Sequence, residues 1–281
     1  MRHYLLYIVI FSFLFSCEDV IEVETPSEAP RLSVDALLRI NEEEPITKAI
    51  IKVSETSSFF KENTPIRVSE MTITNLDQQN TTTNPNQIIF TLIEPGVYEA
   101  IKRTTFFTEG RLQLSIKYNN QTYTANTSYV PAVPITNLEQ GNGTLFEGNE
   151  TEIILTFVDE DNRDDFYLFD FDFNEYLVSE DEFYQGQPFK FSYFYNDDVK
   201  AGMHVNVSIL GVSEDFFNYM NLLIIQSGGA QGPFQTPVAT VKGNIINTNN
   251  NGSLDTTENT NNFALGYFAV CQTYSSSLTI E

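Results

Sequence analysis

Apolar and polar residues alternate with a period of two along several short segments between residues 31 and 130. Segments such as RLQLSIKY and QTYTANTSY place every second side chain on one face, as β-strands do when one face packs and the other meets water. Clusters of Asn, Gly, Pro and Asp separate these segments, for example at residues 75–86 and 94–96. The pattern predicts an immunoglobulin-like antiparallel β-sandwich over residues 31–130.

A proline-containing run that continues into Gly and Asn, VPAVPITNLEQGNG, interrupts the strand pattern, and we interpret residues 131–143 as a linker. Residues 144–281 resume the strand pattern and form a second β-rich domain with many Phe and Tyr residues. One segment there has apolar residues at helical spacing, and Ser213 before it is a favourable N-cap. We therefore predict a mainly β fold with one helix at about residues 213–226. The Asn- and Thr-rich residues 247–262 are predicted to form a loop.

The chain starts with a short basic segment and an apolar run that ends at Leu14-Phe15-Ser16-Cys17. This run has the length of a signal-peptide core, and it is too short to cross a membrane as a helix, which needs about 20 apolar residues. A small residue directly before a cysteine, with an aliphatic residue three positions before it, is the lipoprotein cleavage pattern. We predict that residues 1–16 are a signal peptide and that Cys17 carries the lipid. The alternative is an ordinary secretory signal with a chance cysteine.

Residues 17–30 form an acidic, proline-containing tether between the lipidated cysteine and the first predicted strand. The pair Glu18-Asp19 directly after the cysteine resembles the export signal that sends some Bacteroidetes lipoproteins to the outer face of the cell. We therefore expect a protein anchored to the outer membrane by lipid, at the cell surface rather than at the periplasmic face. An ordinary solvated linker is the alternative interpretation of the acidic pair.

The charge of the chain limits its partners. It carries 15 Lys and Arg against 38 Asp and Glu, a net charge of −23, and removal of the signal peptide would also remove Arg2. A protein this acidic is repelled by nucleic acids and by anionic lipid surfaces, so we expect no nucleic-acid binding. The lipid, and not charge, would hold the protein at a membrane. Hydrophobic residues make up 41% of the chain, which is enough for a folded core.

The few cysteines and histidines exclude several kinds of site. If Cys17 is lipidated, Cys271 has no partner for a disulfide, and we expect it to be a buried, inert thiol in an apolar strand. His204 is the only histidine after the signal peptide, which excludes multi-histidine metal centres. A hydrogen-bonded or exposed strand histidine is its simplest interpretation. We expect no cofactor and identify no catalytic residues.

The densest acidic run, DEDNRDD at residues 159–165, offers hard oxygen ligands that suit calcium, with Asp159, Asp161 and Asp165 as the candidates. Arg163 stands where a calcium loop would place an oxygen ligand, so we favour a solvated turn. The acidic residues 180–182 are interpreted in the same way. Thr256 lies in the sequence Asp-Thr-Thr, which matches a short O-glycosylation acceptor pattern inside the predicted loop.

Several segments together resemble one known family. They are the cysteine motif with its acidic residues, VSEMTITN leading to EPGVYEA, PAVPI, SEDFFNYMNLL, GPFQTPVATVKGNI and ALGYFA. In this order they resemble the Bacteroidetes lipoprotein family catalogued as domain of unknown function 4249, from Cys17 to about Tyr274. The resemblance implies an outer-membrane lipoprotein, often encoded beside a TonB-dependent receptor, and it supplies no catalytic residues. The Asn-rich insertion before GYFA departs from the family pattern.

Three functions remain open from the sequence. The leading hypothesis is a non-enzymatic accessory or binding lipoprotein that associates with a TonB-dependent receptor or its cargo. A surface hydrolase that uses a carboxylate pair is the second, although no particular pair can be chosen among 38 acidic residues. A structural or adhesive surface module is the third, and an exposed apolar patch would favour it.

Overall fold

The computed structural model describes residues 29–57, 61–145, 148–195, 199–229, 240–249 and 263–281. The first part of this range contains β1 (Leu32–Ile40), β2 (Ile46–Glu55), β3 (Thr64–Pro65), β4 (Glu70–Asn75), β5 (Gln87–Ile89), β6 (Thr91–Glu94), β7 (Val97–Arg103), α1 (Thr105–Thr108), β8 (Arg111–Tyr118) and β9 (Gln121–Val130). The second part contains β10 (Ile135–Gln140), β11 (Thr151–Val158), β12 (Phe166–Asp170), β13 (Tyr176–Glu180), β14 (Pro188–Tyr195), β15 (His204–Val212), α2 (Glu214–Ile224), β16 (Ile246–Asn247) and β17 (Leu265–Thr279). The prediction of a mainly β fold is therefore confirmed.

The strands of the first part enclose one hydrophobic core between two sheet layers. One layer has the order β17-β1-β2-β7-β6, and the other has the order β5-β4-β8-β9. Strand β2 shows the underlying alternation, because its residues are buried and exposed in turn. The apolar face of each layer points at the other layer, and the core contains Ile51, Met71, Leu114 and Phe268. The predicted alternation is thus the pattern that closes this sandwich.

The strands of the second part form another two-layer arrangement around a core rich in aromatic residues. One layer has the order β13-β12-β15-β17 and the other has the order β10-β11-β14. Phe157 lies at the centre of this core, with its ring 5.4 to 5.8 Å from the rings of Tyr167, Phe169, Tyr184 and Phe189. Edge-to-face packing of this kind adds to the stabilisation from burial alone.

Strand β17 belongs to both arrangements. Its first half pairs with β1 in parallel orientation, and its second half pairs with β15 in antiparallel orientation. Phe268 and Val270 therefore enter the first core, while Tyr274 and Leu278 on the same face of the strand pack against the second. The alternating pattern predicts antiparallel pairing throughout the N-terminal sandwich. The sheet is mixed because its edge at β1 is completed by a strand from the other end of the described chain.

Residue Gln272 marks the point where β17 passes from one core to the other. The residue is buried, and its side-chain oxygen accepts a hydrogen bond from the Ala132 backbone N–H at 2.8 Å. Its amide nitrogen donates to Glu42 at 2.9 Å and to the Tyr274 hydroxyl at 3.0 Å. These bonds satisfy the polar groups of a buried amide. They also hold the position at which β17 passes from one core to the other.

Helix α2 covers the opposite face of β17. Its N-cap is Ser213, whose side chain accepts a hydrogen bond from the Phe216 backbone N–H at 3.3 Å. Phe216 packs with Ala269, Cys271 and Leu210 in a third, smaller core beneath the helix. The predicted helix is confirmed, although the α-helix itself ends at Ile224. Within the described residues, no helix is long and apolar enough to cross a membrane.

Two local features differ from the predictions. Residues 131–143 were expected to be a linker, but they contain β10, which pairs with β11. The prolines Pro131 and Pro134 both precede the strand, so they do not remove any of its backbone donors. The first half also contains the one-turn helix α1, with Phe106 and Phe107 buried. A single turn is too short to produce a helical pattern in the sequence.

Gly211 on β15 allows the chain between the two halves to pass close to the sheet. A Cβ atom at this position would lie 1.8 Å from the Pro131 carbonyl oxygen, which belongs to the backbone and cannot rotate away. We predict that Gly211→Ala lowers the free energy of unfolding by about 2–3 kcal/mol. Gly143→Ala is the control, because there the new atom meets only the flexible Glu152 side chain. Urea unfolding curves of equal slope would measure both, and equal stability of the two variants would contradict the prediction.

Candidate functional site

Three carboxylates from two separate acidic runs meet at one end of the second core. Asp159 follows β11, Asp165 precedes β12, and Asp181 follows β13. Each is buried, and their carboxylate oxygens lie within 4.8 Å of one another. We call these three residues the carboxylate cluster.

The pairing of β12 with β13 brings two members of the carboxylate cluster together. Phe166 pairs with Glu180, so the residue before one strand lies beside the residue after the other. The Asp181 backbone N–H donates to the Asp165 carbonyl at 3.1 Å, and the Asp165 N–H donates to Asp181 Oδ2 at 2.8 Å. The carboxylate of Asp181 thus continues the hydrogen-bond ladder of the sheet beyond its last pair.

The Tyr167 hydroxyl lies between the other two carboxylates. It is 2.5 Å from Asp159 Oδ1 and 2.9 Å from Asp165 Oδ2. Burial, together with the hydrogen bond to Asp159, raises the pKa of Tyr167 above its usual range, so the hydroxyl keeps its proton. A hydroxyl has one proton and can donate to one of these oxygens only. The other carboxylate therefore depends on a different neighbour for its stabilisation.

Within the described residues, the carboxylate cluster forms an ion pair with one basic residue. Arg163 Nε donates to Asp165 Oδ1 at 2.6 Å, and the Gly186 backbone N–H donates to Asp159 Oδ2 at 2.9 Å. No Lys or Arg in the described part of the chain forms an ion pair with Asp181. Burial raises the pKa of Asp181, and the negative charges of Asp159 and Asp165 raise it further.

The sequence favours a solvated turn over a calcium site at residues 159–165, but Asp159 and Asp165 are buried. These two calcium candidates lie together, whereas Asp161 is exposed and lies outside the carboxylate cluster. Asp181 takes its place, from the acidic run at residues 180–182. Carboxylate oxygens at these distances could hold a hard cation such as calcium, although Arg163 already neutralises one of them. The hydrogen bonds also give the group a structural role, because they tie together the ends of β11, β12 and β13.

Of the four remaining residues singled out in the sequence, the structure describes two. Cys271 is buried as expected, and burial raises the pKa of its thiol to about 12. His204 is exposed on β15, and its Nδ1 lies 2.8 Å from the Thr279 hydroxyl, so it is a hydrogen-bonded strand histidine. Cys17 and Thr256 lie outside the described residues, and their roles stay predictions.

We predict that Asp181→Asn raises the free energy of unfolding at neutral pH by about 1 kcal/mol, because it removes one of three neighbouring negative charges. The amide oxygen can still accept the bond from the Asp165 N–H. Because the pKa of Asp181 is raised on folding, the wild-type protein gains stability as the pH falls through that pKa toward the ordinary aspartate value. The advantage of the variant should therefore shrink by about pH 4. Urea unfolding in a chelator at both pH values measures this difference.

Asp161→Asn is the matched control for this experiment, since it removes the same charge from an exposed position. Its stability should stay within about 0.5 kcal/mol of the wild type. Lower stability of Asp181→Asn at neutral pH would contradict the prediction. A calcium-dependent rise in the melting temperature of the wild type, absent from Asp181→Asn, would show instead that the carboxylate cluster holds a cation.

Comparison with known proteins adds a family and little else. No curated protein matches the sequence at a significant level. A solved structure of a DUF4785 family protein from Legionella pneumophila is similar at 10% identity and a TM-score of 0.21, covering 64% of this chain and 52% of that chain. The present chain thus spans about half the length of that protein, and a likeness of this size carries no conclusion. The family described as "Domain of unknown function (DUF4249)" matches residues 18–277, nearly the whole chain, so the protein belongs to this family.

Proposed function

We propose that this protein is a lipid-anchored, surface-exposed component of an outer membrane, acting without catalysis as an accessory of a TonB-dependent receptor. The observation that carries the proposal is the apolar run that ends at Leu14-Phe15-Ser16-Cys17, where lipid attachment would follow removal of residues 1–16. Membership of the DUF4249 family agrees with it, because the sequence segments that resemble this family imply the same location.

The position of the first strand supports an anchor at Cys17. Strand β1 begins at Leu32, so residues 18–31 separate Cys17 from the first strand. Fourteen residues span at most roughly 50 Å, which sets an upper limit on the distance between the lipid and the first strand. The acidic composition of the tether and of the whole chain would keep the folded part away from an anionic lipid surface.

The outer face of β2 and β7 offers a surface for a protein partner. On this face Ile46, Ile50 and Ile101 are 48%, 39% and 62% exposed. The register places Lys48 directly opposite Ile101 and Arg103 opposite Ile46. Lys48 forms an ion pair with Glu99 on the same face at 2.6 Å, so charged and apolar groups share the face. We call this surface the isoleucine face. Exposed isoleucines that lie near one another on a sheet face favour an interaction site over ordinary solvent exposure.

The state of the acidic residues supports a role without catalysis. The members of the carboxylate cluster, Asp159, Asp165 and Asp181, are only 4%, 4% and 7% exposed. They are bound to Tyr167, Arg163 and backbone N–H groups, so a glycan or peptide could not reach them without breaking these bonds. Carboxylate pairs of glycosidases, in contrast, face each other across the bound substrate.

The anchor is tested by Cys17→Ser. We predict that this variant is no longer acylated and no longer fractionates with the outer membrane, because the acyl chains proposed to hold the protein there are lost. Mass spectrometry of the amino terminus and membrane fractionation measure the two effects. A variant that is still processed and still sediments with the outer membrane would exclude the lipoprotein assignment.

The partner is tested by Ile101→Glu on the isoleucine face. We predict that a β-barrel receptor co-purifies with the wild-type protein from detergent-solubilised outer membranes. Its recovery should fall at least about tenfold with the variant, which corresponds to about 1.4 kcal/mol. Ile89→Glu is the control, because Ile89 is 70% exposed on β5, a strand of the opposite layer. Equal recovery with both variants would exclude the isoleucine face, and absence of any receptor from the wild-type sample would remove the main support for the proposal.

A further inference from the structure

A groove of about 550 Å³ lies between helix α2 and the outer faces of β1, β12 and β17. Its volume falls in the range of small-molecule sites. Most of its lining residues lie on β1, β12, β13, β17 and α2, and Thr240 and Val241 complete the lining. It is distinct from both the carboxylate cluster and the isoleucine face. We call it the helix groove.

Aromatic rings line the helix groove. Tyr219 of α2 and Tyr267 of β17 have ring centroids 5.1 Å apart, and Phe216 lies 4.9 Å from Tyr267. Tyr176 of β13 and Met220 of α2 also line the groove, and like the two other tyrosines they are half-buried. Each ring therefore keeps part of its surface open to a ligand. The faces of such rings carry partial negative charge, which attracts a cation.

Asp35 places a carboxylate in the same groove. It lies on β1 with its side chain exposed, and its register partner on β17 is Tyr267. Its register partner on β2 is Lys52, but no Lys or Arg of the described residues forms an ion pair with Asp35. Arg39, which follows on the same face of β1, is bound to Asp170 at 2.5 Å. Asp35 is thus an accessible negative charge beside aromatic rings.

Nearby carboxylates also affect the pKa values of the tyrosines that line the groove. Burial raises the pKa of Tyr219 to about 12, and the charge of Asp35 contributes to the shift. Burial also raises the pKa of Tyr267, with a contribution from Asp215, and that of Tyr176, where Asp170 and Asp35 raise it and Arg39 opposes them. Among the described residues that line the groove, Asp35 carries the only charge, within a chain of net charge −23. An anionic ligand would be repelled, and a cationic one attracted.

We infer that the helix groove binds a small organic cation, an arylalkyl amine or ammonium compound, with its charge at Asp35 and its apolar part against Tyr219 and Tyr267. Each part of such a ligand meets a matching group: the carboxylate takes the ammonium, the ring faces take the adjacent carbon atoms, and Met220 and Leu223 take the apolar end. This inference goes beyond the proposed function, since it requires neither the anchor nor a receptor.

The test uses phenylpropylamine as the probe and phenylpropanol as its neutral counterpart of similar shape. Binding to the purified full chain, in non-ionic detergent, is measured by isothermal titration calorimetry and by saturation-transfer NMR. We expect saturable binding of the amine that is at least about tenfold tighter than that of the alcohol. Asp35→Asn should weaken the amine at least about tenfold and leave the alcohol unchanged, and Lys52→Gln should strengthen the amine, because it removes a competing positive charge near Asp35.

Glu62→Gln is the matched control, since it removes one negative charge from an exposed position outside the groove and should leave amine binding unchanged. Asp35 is exposed, so its replacement should preserve the fold, which circular dichroism checks for every variant. Absence of saturable binding, equal affinity for amine and alcohol, or an unchanged amine affinity in Asp35→Asn would each overturn the inference. None of these results depends on Cys17 or on receptor recovery, so the failure of one proposal leaves the other intact.

Discussion

The structure depends on the parallel pairing between β1 and β17. The register runs from Ser33 opposite Leu265 to Ile40 opposite Gln272, and it supplies the edge that closes the first core. The same strand then continues into the second sheet, where it pairs with β15. Because side chains alternate along one strand, a single register determines which residues enter both cores and which lie beneath helix α2. A shift by one residue would exchange these faces and expose the apolar side chains of all three regions.

That strand also divides the outer surface of the first sandwich into two parts. Over β1 and β17 the sheet is covered by α2, and the space left between them is the helix groove. Over β2 and β7 the same sheet presents the isoleucine face. One layer thus carries both surfaces proposed for binding, the helix groove for a small molecule and the isoleucine face for a protein. The ion pair between Arg39 and Asp170 links this layer to β12 of the other half, so the covered part is held in a fixed position.

Features that depend on residues close together in the sequence could be predicted. Features that depend on pairing between distant segments could not. Strands and helix α2 follow from local patterns, such as the alternation in β8 and the cap at Ser213, and they were predicted. Asp159 and Asp165 were found because one turn contains both. Asp181 joins them only through the register of β12 with β13, and sequence alone does not specify which strands pair. The parallel partner of β1 and the contribution of Asp35 to a groove formed with α2 were beyond prediction for the same reason.

The separation along the chain between β1 and its partner has a consequence for folding order. Ser33 and Leu265 are roughly 230 residues apart, so their pairing carries a large loop-closure cost and a high contact order. Both sandwiches lack one strand until β17 has been made, and we expect the nascent chain to stay loosely folded up to that point. For the proposed exported precursor, which would cross a translocation channel in an extended form, such a delay is an advantage. Addition of β17 is then a late folding step that completes both sandwiches together.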